Sequence, residues 1–231
     1  TLDPSTLRNL ELVRPLNADD ISSTLCSVLD FSITAMGGRL LREWISHPLI
    51  SVSRITKRQK AVSELAESPI LLSELKSALF SILDMERLMG RIGSGRANAR
   101  DLAGMGRSLV QASQVSAVLA NANSLALQEL AQTLSLASGH GESILACLRD
   151  DLPLTVREGK MIREGACPSL DAMNEEIREK REWIASLESR ERERLGIPTL
   201  KVGYNKVFGY YIEVTRTHTD KVPENYLRKQ T

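Results

Sequence analysis

Hydrophobic residues recur at three- and four-residue intervals through most of this chain, which is the spacing of the buried face of an α-helix. Glycine, proline and asparagine interrupt the pattern at Pro69, at 93–95, at 121–123 and at Gly139-His140-Gly141. Between these breaks the pattern predicts helices at 53–67, 70–82, 84–92, 98–120, 124–137 and 141–150. No repeat of constant length appears, which favours an irregular helical domain over a solenoid.

Residues 2–48 predict three further elements. Residues 2–15 are typical of a short helix that runs into an extended segment. Ser22 or Ser23 is a suitable N-cap for a helix that ends at Leu29, and Thr34 for the helix that follows. The Thr34 helix should end at His47-Pro48, and it carries one apolar stripe that we expect to be buried: Met36, Leu40, Leu41, Trp44 and Ile45.

The segment 170–195 predicts one long helix. Ser169 is its expected N-cap and Gly196 its expected end. Positions 170, 173, 177, 180, 184 and 187 follow a heptad seam that could pack on a partner helix, but positions 191 and 194 are charged. The last turns, 188–194, are charged on every side. We expect them to stand in water, supported by pairs such as Glu188–Arg192, either as a solvated helix end or as a bridge to another unit.

After Pro198 the hydrophobic period changes to two, which predicts a β-hairpin over 200–214 with its turn at 205–209. Residues 226–231 could begin a third strand, and 153–163 is typical of an extended connector or small hairpin. The predicted fold class is therefore mainly α: an irregular multi-helical domain at 1–167, a long helix at 168–196 and a small antiparallel β-element at 197–231.

Composition excludes several classes of protein. Aromatic residues make up 4% of the chain, which favours helix packing through aliphatic side chains over a β-sandwich, and no apolar run is long enough to span a bilayer. Cys26, Cys147 and Cys167 are scattered, so we expect reduced thiols in a cytoplasmic protein. The chain does not begin with Met and stops within a predicted strand, so we expect a piece of a longer protein.

Candidate catalytic chemistry is missing from the sequence. Gly159-Lys160 lacks the frame of a nucleotide-binding loop, the three histidines lack the spacing of metal ligands, and no nucleophile motif occurs. We therefore expect no enzyme activity, no cofactor and no metal in these residues. The net charge is only +1, but 196–231 holds six basic and three acidic residues, which makes the C-terminal end the basic one.

Three segments of the chain are specific enough to compare with known families: a motif around Thr34, Met36, Gly37, Arg39 and Trp44, the hairpin with Gly203, Tyr204, Asn205, Gly209 and Tyr210, and the ending Pro223, Tyr226, Arg228, Gln230 and Thr231. In this order they resemble the MutS family of DNA mismatch-repair proteins. Shorter matches lie at Leu2-Asp3, Arg58-Gln59, 84–92 and Arg100-Asp101-Leu102. The resemblance covers essentially the whole chain and corresponds to the family's core, or lever, domain and the start of its clamp.

The resemblance implies a function that the isolated chain would share only in part. In the family, lever helices connect an ATPase domain to a clamp that holds the DNA backbone. The mismatch wedge and the ATPase belong to other domains. The full-length protein is thus expected to bind ATP and Mg, to hold mismatched double-stranded DNA, to form a homodimer, to have a MutL-type repair partner and to act in the bacterial cytoplasm at the nucleoid.

Phosphate contacts require Lys, Arg or small polar groups, and the basic end supplies six candidates for the DNA backbone: Arg216, Thr217, Lys221, Asn225, Arg228 and Lys229. Arg39, Arg87 and Arg91 are instead expected to pair with Glu43, Asp84 or Glu86.

Two other interpretations of the chain's function stay open. One is a paralogue of the same family that acts on recombination intermediates or stalled ribosomes. The other is a helical scaffold that binds a partner protein through the 170–187 seam and has no affinity for DNA.

Overall fold

The computed structural model describes residues 2–16, 23–207 and 209–228. The chain separates into two compact units, Thr1–Ala166 and Cys167–Thr231. The first unit is built from helices, and the second contains a long helix and a two-stranded antiparallel sheet. The predicted class, mainly α with a small β-element, is confirmed. The finer division into three domains stays a prediction.

Nine helices in the described part of the first unit follow the predicted pattern closely. They are α1 (Pro4–Asn9), α2 (Leu25–Leu29), α3 (Ala35–Ser46), α4 (Val52–Glu67), α5 (Pro69–Phe80), α6 (Met85–Gly93), α7 (Ala99–Leu119), α8 (Leu125–Ser135) and α9 (Ser138–Cys147). Thr34 caps α3 as predicted, since its hydroxyl accepts the Gly37 N–H at 3.1 Å. The cap of α2 is Thr24 and not Ser23, and Ser22 lies outside the described residues.

Helix α7 is the central helix of the first unit. It contacts α5, α6, α8 and α9, and its buried residues contribute to two apolar clusters. One cluster joins Val115 and Leu119 to α5 and α8 through Ala78, Leu127 and Ala131. The other joins Ala99 and Ala103 to Leu148 and Leu152. The alanines in these clusters leave room for close helix packing, and the leucines and Val115 fill the space between the helices.

The predicted break at Gly139-His140-Gly141 is wrong, because these residues lie inside α9. A Cβ atom at Gly141 would lie 2.6 Å from the Gly106 carbonyl oxygen of α7. Gly141 therefore allows the backbones of α7 and α9 to approach closely, and it does not mark a loop.

Arginine and carboxylate pairs join helices of the first unit. Arg39 of α3 donates to Asp84 at 2.6 and 2.8 Å and also to Glu86 at the start of α6. Arg87 pairs with Asp84 at 3.3 Å. The pairing predicted for these two arginines is confirmed, but the Arg87 pair lies within α6 and its N-cap and does not join two helices. Arg91 also forms an ion pair, but its partner is Asp101 at 2.9 Å and not one of the three predicted acids.

The apolar stripe of α3 is not buried, contrary to the prediction. No residue of α3 is buried, and Leu40 and Trp44 are 46% and 41% exposed. The periodicity correctly predicts an amphipathic helix, but burial also requires a neighbouring surface. Trp44 is covered on one face by the guanidinium of Arg58, which lies 3.5 Å from the ring centroid.

The connector after α9 folds back on itself like a small hairpin. An extended connector or small hairpin is predicted for 153–163. Leu148 and Ile162 form an isolated antiparallel bridge, and the Arg163 N–H donates to the Cys147 carbonyl at 2.9 Å. A short 3-10 helix, Val156–Glu158, lies between them.

The second unit begins with the long helix α10 (Pro168–Leu195). Its N-cap is Cys167 and not the predicted Ser169, because Pro168 occupies the first helical position, where its missing N–H costs nothing. The strands β1 (Lys201–Asn205) and β2 (Gly209–Glu213) pair antiparallel, with Val202 opposite Ile212 and Tyr204 opposite Tyr210. The predicted hairpin is confirmed. No helix of the described chain is long and apolar enough to cross a membrane.

Candidate nucleic-acid interface

The C-terminal end of α10 holds the first strand of the hairpin through two side chains one helical turn apart. Glu188 accepts the Val202 N–H at 2.9 Å, and Arg192 donates to the Leu200 carbonyl at 2.6 Å. The two side chains also pair with each other at 2.6 Å, as predicted. Charged side chains thus satisfy backbone groups of β1 and of the residue before it.

The junction between helix and strand is tightly specified. Gly196 ends α10 in the left-handed conformation (φ 60°, ψ 38°), and its N–H donates to the Glu193 carbonyl. The Ile197 N–H donates to the Arg192 carbonyl at 3.1 Å, which completes a Schellman motif. Ile197 and Leu200 are both fully buried, so the turn is fixed by apolar packing as well as by hydrogen bonds.

A second polar cluster holds the segment near the C-terminus. The Tyr226 hydroxyl donates to Glu191 at 2.6 Å and accepts from Arg194 at 3.2 Å. Arg194 also donates to Glu191, whose side chain is only 13% exposed. The prediction that these helical turns are solvated on every side is therefore wrong, because one side of them binds other parts of the unit.

The cluster shifts the ionisation of both of its acidic groups. The hydrogen bond from Arg194, followed by that from Tyr226, lowers the pKa of Glu191 below its ordinary value. Burial raises the pKa of Tyr226, and its hydrogen bond to the Glu191 carboxylate adds to the increase. Both shifts favour the same state, an ionised Glu191 that accepts a hydrogen bond from a neutral Tyr226.

The hairpin presents two different faces. Tyr204 and Tyr210 lie on one face in edge-to-face contact, with ring centroids 5.0 Å apart. Tyr211 lies on the other face and covers its cross-strand partner Gly203, where an added Cβ would lie 2.7 Å from the ring carbon Cζ. Tyr210 and Tyr211 therefore point to opposite faces of the hairpin, as neighbouring residues of a strand do.

The predicted DNA-contacting residues follow the hairpin. Arg216, Thr217 and Lys221 lie in a 3-10 helix, Arg216–Lys221, which is kinked at His218. Asn225 lies in the next turn and Arg228 just after it, and all five are exposed. Lys229 lies outside the described residues. The third strand expected at 226–231 does not appear at 226–228, and residues 229–231 are also outside the described part of the chain.

These five residues differ in how much of their bonding capacity is already used. The Thr217 hydroxyl lies 3.2 Å from that of Thr215, which in turn contacts Thr199. Lys221 makes a long 3.5 Å contact with the Gly196 carbonyl, near the negative end of the α10 dipole. Within the described residues, no carboxylate pairs with Arg216 or Arg228. Among the residues described, both arginines therefore offer a surface charge that no carboxylate pairs with.

The sequence alone does not identify the residues that hold the stretch around Tyr226 against α10. Its charge pattern predicts only a solvated run around Glu191, and its period of two only a possible strand at Tyr226. The one signal for Tyr226 is its place in a segment that resembles a known family, and that resemblance assigns it no partner. In the part of the chain that the structure describes, no group of three His, Cys, Asp or Glu side chains could hold a metal ion.

Comparison with known proteins gives a consistent result. The profile of MutS domain III matches residues 5–206. Proteins named DNA mismatch repair protein MutS are 45% identical in Thermosynechococcus vestitus, 45% in Pelotomaculum thermopropionicum and 43% in Methanosarcina acetivorans, each over the whole of this chain. The chain spans 26% of the first relative's length, 27% of the second and 26% of the third, about a quarter of each.

Proposed function

Because this chain belongs to the MutS family of DNA mismatch-repair proteins, we propose that its second unit holds the backbone of double-stranded DNA without reading the base sequence. The observation that carries the proposal is the pair of exposed arginines, Arg216 and Arg228, which have no carboxylate partner among the described residues. Guanidinium groups bind phosphate oxygens in bidentate geometry and do not distinguish bases at the backbone.

The neighbouring groups support contact with phosphates. Asn225 is an exposed amide between the two arginines in sequence, and Lys221 adds a cation at the end of the 3-10 helix. Thr217 and Lys229 complete the proposed set. Thr217 contributes less than the others because its hydroxyl already contacts Thr215.

In the longer protein, α10 acts as a lever between the DNA-holding segment and an ATPase domain. Its 28 residues span about 42 Å at the rise of an α-helix. Side chains at its charged end form hydrogen bonds with the backbone at the start of the hairpin. We place ATP and Mg binding, mismatch recognition, homodimer formation and the MutL-type partner in the full-length protein, in the bacterial cytoplasm. These residues themselves are not the enzyme.

One observation favours a second candidate function. Met173 and Ile177 of the α10 seam are 62% and 48% exposed, as expected of a surface that packs on another helix. A scaffold that binds a partner protein would use this seam and would have no affinity for DNA. The paralogue interpretation, with recombination intermediates or ribosomes as targets, is less favoured because the relatives from all three organisms carry the mismatch-repair name.

Fluorescence anisotropy of labelled duplexes tests the proposal. The 231-residue chain should bind a matched duplex and a single-mismatch duplex with equal affinity, and it should lose most of that affinity as salt is raised from about 50 to 200 mM. It should not hydrolyse ATP. Binding that is absent at low salt would contradict the proposal and favour the scaffold. A preference for the mismatched duplex would contradict the assignment of recognition to other domains.

A further inference from the structure

We infer that Tyr226 is a positioning residue. Its hydroxyl hydrogen-bonds the stretch 225–228 to the charged end of α10, and this holds Arg228 in place for phosphate contact. This inference rests on the proposed DNA-holding function. It concerns a residue that has no direct contact with DNA in that proposal.

The geometry makes Tyr226 a specific anchor. Its hydroxyl uses both its donor and an acceptor position, at 2.6 Å to Glu191 and 3.2 Å from Arg194. The two partners lie three residues apart on α10 and also bond to each other. A phenol held by two bonded partners has one preferred position, since moving it breaks both hydrogen bonds.

The surrounding segment has little else to hold it. Asn225, Leu227 and Arg228 are exposed, Leu227 at 86%, so apolar burial contributes little to the position of these residues. The Tyr226 N–H donates to the Pro223 carbonyl at 3.0 Å, which closes the turn before the anchor. Two hydrogen bonds of the Tyr226 hydroxyl thus attach this stretch to α10.

Fixing Arg228 in advance should strengthen DNA binding. A side chain on a freely moving segment loses conformational freedom when it binds phosphate, and that loss lowers affinity. Glu191 is largely shielded from water, which makes the hydrogen bond from Tyr226 stronger than one at an open surface. Removing the hydroxyl should therefore weaken duplex binding about two- to tenfold while leaving the fold intact.

Tyr226→Phe removes only the hydroxyl, and Tyr204→Phe is the matched control, because Tyr204 is 63% exposed and lies in the hairpin. Duplex affinity is measured for each substitution in an otherwise wild-type chain. The Tyr226 change is then repeated in an Arg228→Ala background. Hydrogen exchange of the amides at 222–228 and the thermal unfolding midpoint report the local and global structure.

The inference predicts weaker binding and faster exchange at 222–228 for Tyr226→Phe, an unchanged control, and no further loss of affinity when Arg228 is already absent. Wild-type affinity in Tyr226→Phe would overturn the inference alone. An equal loss in both backgrounds would also overturn it, because the hydroxyl would then act independently of Arg228. Failure of the wild-type chain to bind any duplex would instead overturn the proposed function, and this inference with it.

Discussion

The Tyr226 hydroxyl donates a 2.6 Å hydrogen bond to the carboxylate of Glu191, 35 residues earlier in the chain. This bond needs a neutral phenol and an ionised carboxylate. The pKa of Tyr226 is raised above its ordinary 10.0, so its contribution to stability is complete below pH 10 and is lost as pH rises through the raised value. The pKa of Glu191 is lowered below 4.5, so its contribution is complete above that pH and is lost as pH falls through the lowered value.

We therefore expect Tyr226 to ionise above pH 10 in the folded chain. Ultraviolet absorbance of tyrosinate during alkaline titration, compared between wild type and Tyr226→Phe, isolates Tyr226 from the other three tyrosines. The difference curve should have its midpoint above pH 10. In Glu191→Gln the midpoint should move down, because the carboxylate that disfavours the phenolate is gone. A midpoint at or below 10 in the wild type would contradict the observed pairing.

A second prediction concerns acid stability of the first unit. Hydrogen bonds from Arg39 lower the pKa of Asp84 from 3.8 to about 2. A carboxylate with a lowered pKa stabilises the fold fully above its unfolded value, and the stabilisation is lost as pH falls from about 3.8 to about 2. In urea unfolding, Arg39→Met should have a lower free energy of unfolding than wild type at neutral pH. As the pH falls through this acid range, its free energy of unfolding should decrease less than that of wild type.

Arg87→Met is the control for the Arg39 experiment. Arg87 also pairs with Asp84, but its side chain is 78% exposed and the distance is 3.3 Å. Pairs of this kind contribute little in water, so its unfolding curve should stay close to wild type at both pH values. An Arg39→Met curve that matches that of Arg87→Met would contradict the assigned role of Arg39 in joining α3 to α6.

A third prediction uses two glycines of the same helix. Gly141→Ala places a Cβ 2.6 Å from the Gly106 carbonyl oxygen and 2.9 Å from the Leu109 Cβ, so it should destabilise the first unit by about 1–3 kcal/mol. Gly139→Ala meets nothing within 4 Å and should be neutral or stabilise by up to about 1 kcal/mol, since alanine favours the helix. Thermal and denaturant unfolding measure both. Equal effects would contradict the close crossing of α7 and α9.

Local rules predict most helix positions because each rule depends on nearby residues. Thr34, Pro69 and Gly196 are capping or breaking residues whose effect is confined to one turn, and the helices begin or end there as expected. The same rule fails at Gly139-His140-Gly141. A glycine that breaks a helix and a glycine that admits a neighbouring backbone look identical in sequence, and only the contact with Gly106 separates them.

The candidate site is predictable only in part, for a related reason. Charge and residue type select six candidates, among which Arg216 and Arg228 are exposed as a phosphate ligand must be. That these residues bind phosphate stays a prediction. The partners of Glu191 and Glu188 cannot be selected in this way, because Tyr226 and Val202 lie far from them along the chain and no periodicity connects them. A run of charges predicts a solvated face unless a distant group supplies hydrogen bonds.

The salt dependence of duplex binding tests the central claim most directly. Each phosphate contact adds about 0.9 to the slope of log affinity against log salt concentration. Arg216→Ala with Arg228→Ala should therefore reduce the slope by about 1.8 and weaken binding to all duplexes alike. Arg107→Ala, which removes an exposed arginine of α7 in the first unit, should leave the slope unchanged. An unchanged slope in the double variant would contradict the claim that these two arginines hold the DNA backbone.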